Sequence, residues 1–257
     1  MTDFVETVRS LIADLRIGLS LGTRLPVGPA APVGDGDVAR ASWTFPLVGL
    51  IVGLAGAAIY GLACRFRIPP EPAAVLPLAI TVLLTGAMHE DGLCDTADGF
   101  GGGKTREQKL EIMRDSRIGT FGGCALALSL LLRWSALVAL SEPRVVAVAL
   151  IAAHAAARAG LPAFMRLVPP ARPDGLSTSA GQPPWQSAAI AIGIGTVCLI
   201  LSFGLSGAIV AMMTLALVGL LLAALSMKQI GGQTGDVLGA LEQAGEAVVL
   251  LVAATIL

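Results

Sequence analysis

Charge is scarce in this chain. Asp, Glu, Lys and Arg make up 14% of its 257 residues, where a soluble domain carries about 25%. Hydrophobic residues supply 55% and the mean hydropathy is +0.80, which excludes a soluble globule and predicts an integral membrane protein. The formal net charge is −1, so the basic excess that nucleic acid requires is missing and no polyanion partner is expected. The four cysteines (Cys64, Cys94, Cys124 and Cys198) are scattered without a C-x-x-C pair and read as small buried apolar residues. No Ser-His or Cys-His set stands out, which argues against acyl transfer. No internal repeat is visible. The first 16 residues, interrupted by Glu6, Arg9, Asp14 and Arg16, lack the unbroken apolar core expected of an export signal.

Long apolar runs dominate instead. Membrane spans are expected at about 43–64, 72–89, 119–140, 144–168, 187–204 and 207–227, with a shorter one at 241–257 that opens on Glu242 and Glu246. The expected fold is all-α: a single polytopic membrane helix bundle over residues 1–257, with about seven transmembrane helices. An N-terminal amphipathic helix precedes them, in which Val8, Leu11, Ile12, Leu15 and Leu19 recur at helical spacing opposite Glu6, Arg9 and Asp14. Gly49, Gly53 and Gly56 suit close helix packing. Twelve of the 17 Lys and Arg residues fall in the N-terminal region, loops 90–118 and 166–186, and the segment after span six. Arg65, Arg67 and Arg144 lie on the opposite side, so the basic-side rule places the N-terminus and loops 89–118, 169–186 and 228–240 in the cytoplasm. Collecting Asp, Gly and Arg at one rim is what an active site needs.

One stretch at that rim carries the chemistry: His89-Glu90-Asp91-Gly92-Leu93-Cys94-Asp95-Thr96-Ala97-Asp98-Gly99. If it is helical, Asp91, Asp95 and Asp98 fall within roughly 60° of one another on one face. Like charges on one stripe repel unless a cation sits among them. Oxygen-only ligands select a hard ion, Mg²⁺ before Mn²⁺. A solvated acidic helix end is the plainer alternative. Residues 104–117 also look helical, and Arg114 and Arg117 are spaced to grip one anionic group while Asp115 could reach the metal set; a salt-bridged surface helix fits that spacing equally. In the loop that follows Pro169 and Pro170, Arg172 and Asp174 are candidate ligand contacts. Gly231-Gly232-Gln233-Thr234-Gly235-Asp236 could open a helix, with Gly232 and Gly235 exposing backbone N–H groups to a phosphate and Asp236 to a metal, although the G-K-[ST] of a P-loop is absent. His154 and Arg158 share a face inside a span; His154 suits an interhelical hydrogen bond, and Arg158 could reach a polar cavity.

Aspartates with glycines and flanking arginines suit transfer at phosphorus. Three ordered motifs, His89–Gly99, Met113–Gly122 and Gly231–Ala240, resemble the cobalamin synthase family, the adenosylcobinamide-GDP ribazoletransferases, and the likeness runs from Thr23–Pro26 to Ala240. Cys94 stands where a small residue such as Ala is expected. The resemblance implies a multi-pass enzyme of the bacterial inner (cytoplasmic) membrane that joins adenosylcobinamide-GDP to α-ribazole or its 5′-phosphate and releases GMP. It implies Mg²⁺ as cofactor and the lipid bilayer as surroundings, and leaves a homo-oligomer open. On that reading Asp91, Asp95, Asp98 and Asp115 hold metal on the diphosphate. Asp95, Asp98 or His89 takes the hydroxyl proton, and Lys104, Arg114 and Arg117 neutralise the departing GMP. Two rival readings are a CDP-alcohol phosphotransferase, whose Ala-Arg pair after the first Asp-Gly is missing here, and an ion-coupled transporter, which would carry its acids near mid-membrane.

Overall fold

The computed structural model describes residues 2–29, 32–34 and 36–257, apart from the side chains of residues 2–4 and of Leu176. In chain order the helices are α1 (Thr2–Gly22), α2 (Asp37–Ala41), α3 (Phe45–Arg65), α4 (Pro70–Ala73), α5 (Val75–Thr85), α6 (Met88–Gly102), α7 (Arg106–Ile112), α8 (Thr120–Leu140), α9 (Pro143–Ala159), α10 (Leu161–Leu167), α11 (Leu176–Ala180), α12 (Trp185–Ile230) and α13 (Gly235–Ile256). An isolated parallel bridge pairs Pro170 with Gln233, and no strand occurs among the described residues. The all-α membrane bundle expected from the sequence is therefore observed.

Five helical stretches are long and apolar enough to cross a bilayer, and the bent pair 70–85 with 88–102 would make a sixth. The expected count of about seven needs α12 to count twice. Its 46 residues would extend about 69 Å as one rod, more than twice the hydrocarbon thickness. Gly204 interrupts it with φ 68° and ψ 178°, a conformation that only glycine adopts readily. The two arms on either side lie together, since Ile192 and Leu199 line the same groove as Met212 and Leu215. The expected span at 72–89 is likewise broken: Gly86 and Ala87 both take positive φ, and α5 and α6 diverge by 89°.

Local sequence explains most helix starts. Thr105 and Gln108 form a reciprocal capping box at α7. Glu142 accepts from the N–H of Val145, with Pro143 in the first turn of α9. Thr234 accepts from the N–H of Val237 at α13. Gly49 and Gly53 of α3 meet the backbone of α9, whereas Gly56 meets side chains: a Cβ on Gly53 would lie 2.7 Å from the carbonyl oxygen of Leu150. Around that crossing sits the main apolar core, with Tyr60, Leu137, Leu150, Leu199 and Leu250 all essentially buried. On α1, Ile17 and Leu19 are buried while Val8, Leu11 and Ile12 of the apolar stripe stay exposed, and Asp14, expected on the opposite face, is buried against Arg40 and Trp43.

The polar loops gather at one end. Arg106 donates to the carbonyls of Ile230 and Ala171. Gln233 and Pro169–Ala171 exchange backbone hydrogen bonds of 2.8 Å. Arg40 pairs with Asp14, and Ser187 donates to the carbonyl of Arg40. At the other end Tyr60 donates to the carbonyl of Ser141.

Candidate active site

Helix α6 is the scaffold of the site. It packs against α13 at glycines: a Cβ on Gly92 would lie 2.8 Å from the carbonyl oxygen of Asp236, and Gly239 sits against His89. This contact brings Asp91 and Asp95 beside Asp236 in the first turn of α13. The charged neighbours of Asp95 are Asp91, Asp236 and Asp98, with Arg172 as the opposing charge. Arg172 approaches Asp236 at 3.7 Å, and its Nη1 is buried without a hydrogen-bond partner. Three carboxylates facing one guanidinium leave a negative excess, and their all-oxygen chemistry fits a hard divalent cation. Asp91 is exposed, whereas Asp95 and Asp236 are half-buried.

Asp98 turns away from this group. Its two oxygens accept from the N–H groups of Gly119 (2.7 Å) and Gly122 (2.8 Å), so it caps the start of α8 from another helix, where the helix dipole favours a carboxylate. Asp115 engages Arg117 through both oxygens, and that guanidinium holds its carboxyl down at about 2. Arg114 binds Asp174 at 2.5 Å, while Lys104 is exposed beyond the end of α6. Gly232 lets two loops meet, because a Cβ there would strike the carbonyl of Pro169. Gly235 opens α13 and lines a cavity together with His89, Asp91 and Asp236.

Beneath the site lies a buried ionic cluster. Arg133 on α8 reaches Glu246 at 3.0 Å and Glu90 at 3.5 Å. Arg158 on α9 reaches Glu242 at 2.5 Å and Glu246 at 2.9 Å. His154 also pairs with Glu246, and Nδ1 of His89 lies 3.5 Å from Glu242. His154, Glu242 and Glu246 are close enough to hold a cation, and the guanidinium of Arg158 already fills that role. Arg158 is thus neutralised by two glutamates, and its Nη2 lies 3.4 Å from Nδ1 of His89. Glu90, Arg133, Glu242 and Glu246 carry no role in the motif reading. The signal was present: Glu242 and Glu246 are i, i+4 acids in an apolar run, and an intramembrane charge calls for a partner.

Comparison with known proteins decides the family. A family model described as cobalamin-5-phosphate synthase matches residues 14–254. The chain belongs to that family. An adenosylcobinamide-GDP ribazoletransferase of Bradyrhizobium diazoefficiens is 63% identical over 97% of this chain and 96% of its own length. Proteins of the same name from Mesorhizobium japonicum and Brucella anthropi are 50% and 39% identical over 97% and 94% of this chain, and 95% and 96% of their own lengths. No solved structure matches.

Proposed function

We propose that this family member is an adenosylcobinamide-GDP ribazoletransferase, which joins adenosylcobinamide-GDP to α-ribazole or its 5′-phosphate and releases GMP. The observation that carries the reading is that Asp91 and Asp236 line one cavity at the polar end of the bundle, with Asp95 and Arg172 as their charged neighbours. A ribose hydroxyl attacks the phosphorus on the cobinamide side of the diphosphate, the bond to the GMP oxygen breaks, and the hydroxyl proton passes to a base. Asp91, Asp95 and Asp236 would hold Mg²⁺, which supplies charge neutralisation at the diphosphate when bound. Arg172, with one buried nitrogen still unpartnered, would donate to a phosphate oxygen. In the tautomer that carries its hydrogen on Nδ1, facing Glu242 at 3.5 Å, Nε2 of His89 is the ring nitrogen that can accept the proton.

Asp98 and Arg158 serve this reading as positioning groups, the first through α8 and the second through Glu242. Arg114, Arg117 and Lys104 stand at the polar rim, where they add positive potential along the path of the departing nucleotide. The enzyme sits in the bacterial inner membrane with its N-terminus and this rim in the cytoplasm, as the distribution of Lys and Arg supports. The test is turnover by purified protein with Mg²⁺. GMP should leave adenosylcobinamide-GDP only when α-ribazole is added, whereas CMP release from a CDP-alcohol would refute the assignment.

A further inference from the structure

The cavity at the polar end has a volume of about 370 Å³, and its walls differ in chemistry. Helices α1, α3 and α10 contribute Leu21, Phe45, Val48, Leu161 and Met165, while α6 and the start of α13 contribute His89, Asp91 and Asp236. Sites for drug-sized ligands span roughly 300–1,000 Å³, so this one takes a nucleoside and excludes a corrin macrocycle. The apolar wall also selects by polarity. A guanine edge pressed against it would bury donors and acceptors without partners, at a cost no hydrophobic gain offsets. Both large parts of the donor substrate are therefore poor occupants.

We infer that this cavity is the acceptor subsite: α1, α3 and α10 receive the flat apolar base of the incoming nucleoside, and its ribose lies at the carboxylate wall. The inference rests on the function proposed above. A dimethylated benzimidazole has a broad hydrocarbon surface to bury and little hydrogen-bonding demand. Ribose hydroxyls, in contrast, can donate to Asp91 and Asp236. The arrangement sets a hydroxyl in the same cavity as His89, the group assigned to its deprotonation, and leaves the corrinoid outside.

Two substitutions test this by filling the apolar wall from opposite sides, Leu21→Trp and Met165→Trp. Each should raise KM for α-ribazole at least tenfold and leave KM for adenosylcobinamide-GDP within twofold. Each should also shift preference toward an α-nucleoside whose benzimidazole lacks the two methyl groups, which a general folding defect would not do. Met165→Ala, which widens the cavity, should improve relative kcat/KM for a bulkier base. A rise in KM for adenosylcobinamide-GDP instead, or folded and active variants with unchanged base preference, would overturn the acceptor assignment while the transferase activity stood. If the unsubstituted protein releases no GMP with α-ribazole, the functional proposal itself falls.

Discussion

Gly92→Ala offers a one-methyl test of how the site is built. The added Cβ would lie 2.8 Å from the carbonyl oxygen of Asp236 and 3.1 Å from the Cα atoms of Asp236 and Gly239. All three are backbone atoms in a helix, so no side chain can swing aside. Ordinary contact begins at 3.4 Å, so α6 and α13 must part by about 0.6 Å, a gap that forfeits roughly a quarter to a half of each nearby dispersion contact. Overpacking of this kind costs about 1–3 kcal/mol. The functional cost is larger than that figure suggests, because the carboxylates of Asp91 and Asp95 ride on one helix and Asp236 on the other. A displacement of about 1 Å among reacting groups can cost on the order of a hundredfold, so a loss of roughly tenfold in kcat is expected here. The Mg²⁺ concentration for half-maximal rate should rise with it. The assay is GMP release from adenosylcobinamide-GDP by purified protein, alongside thermal unfolding in detergent. Gly193→Ala is the control, since a Cβ there meets nothing within 4 Å. A Gly92→Ala enzyme with kcat within twofold of its parent would refute the claim that this crossing sets the site.

Other substitutions separate chemistry from support. Asp91→Asn and Asp236→Asn should each lower turnover at least a hundredfold while the detergent unfolding temperature holds, and chelation of divalent ions should abolish activity reversibly; a metal-independent rate would contradict the carboxylate assignment. Arg133→Ala should cost about 3–5 kcal/mol, because it strands the buried carboxylate of Glu90 while Glu246 keeps Arg158, and adding Glu90→Gln should recover part of the loss in a double-mutant cycle. Asp98→Ala removes the acceptor for two N–H groups at the start of α8 and should lower stability by about 1–2 kcal/mol, with activity falling in step; a stable but inactive Asp98→Ala protein would return Asp98 to the metal set.

Composition and periodicity were enough to establish a helical membrane bundle, because apolar length and helical spacing are local properties. Spacing also put Asp91 and Asp95 on one side of α6 on the condition that this segment, counted with a loop, was helical, and it allowed a helix to open at the glycine-rich segment where α13 starts. Local pattern could not reveal that Asp98 leaves the stripe to cap α8, since that choice is made by a neighbour 21 positions away. Nor could it find the fold-back at Gly204 from hydropathy, or the pairing of Arg158, which was expected to reach a polar cavity and does line one, with Glu242 and Glu246. Charges in a low-dielectric interior must be matched, and the matching partners come from helices distant in sequence. The chain alone thus determined which side chains have the chemistry; the crossing of α6 with α8, α9 and α13 decided which of them meet, because only packing sets distances between helices.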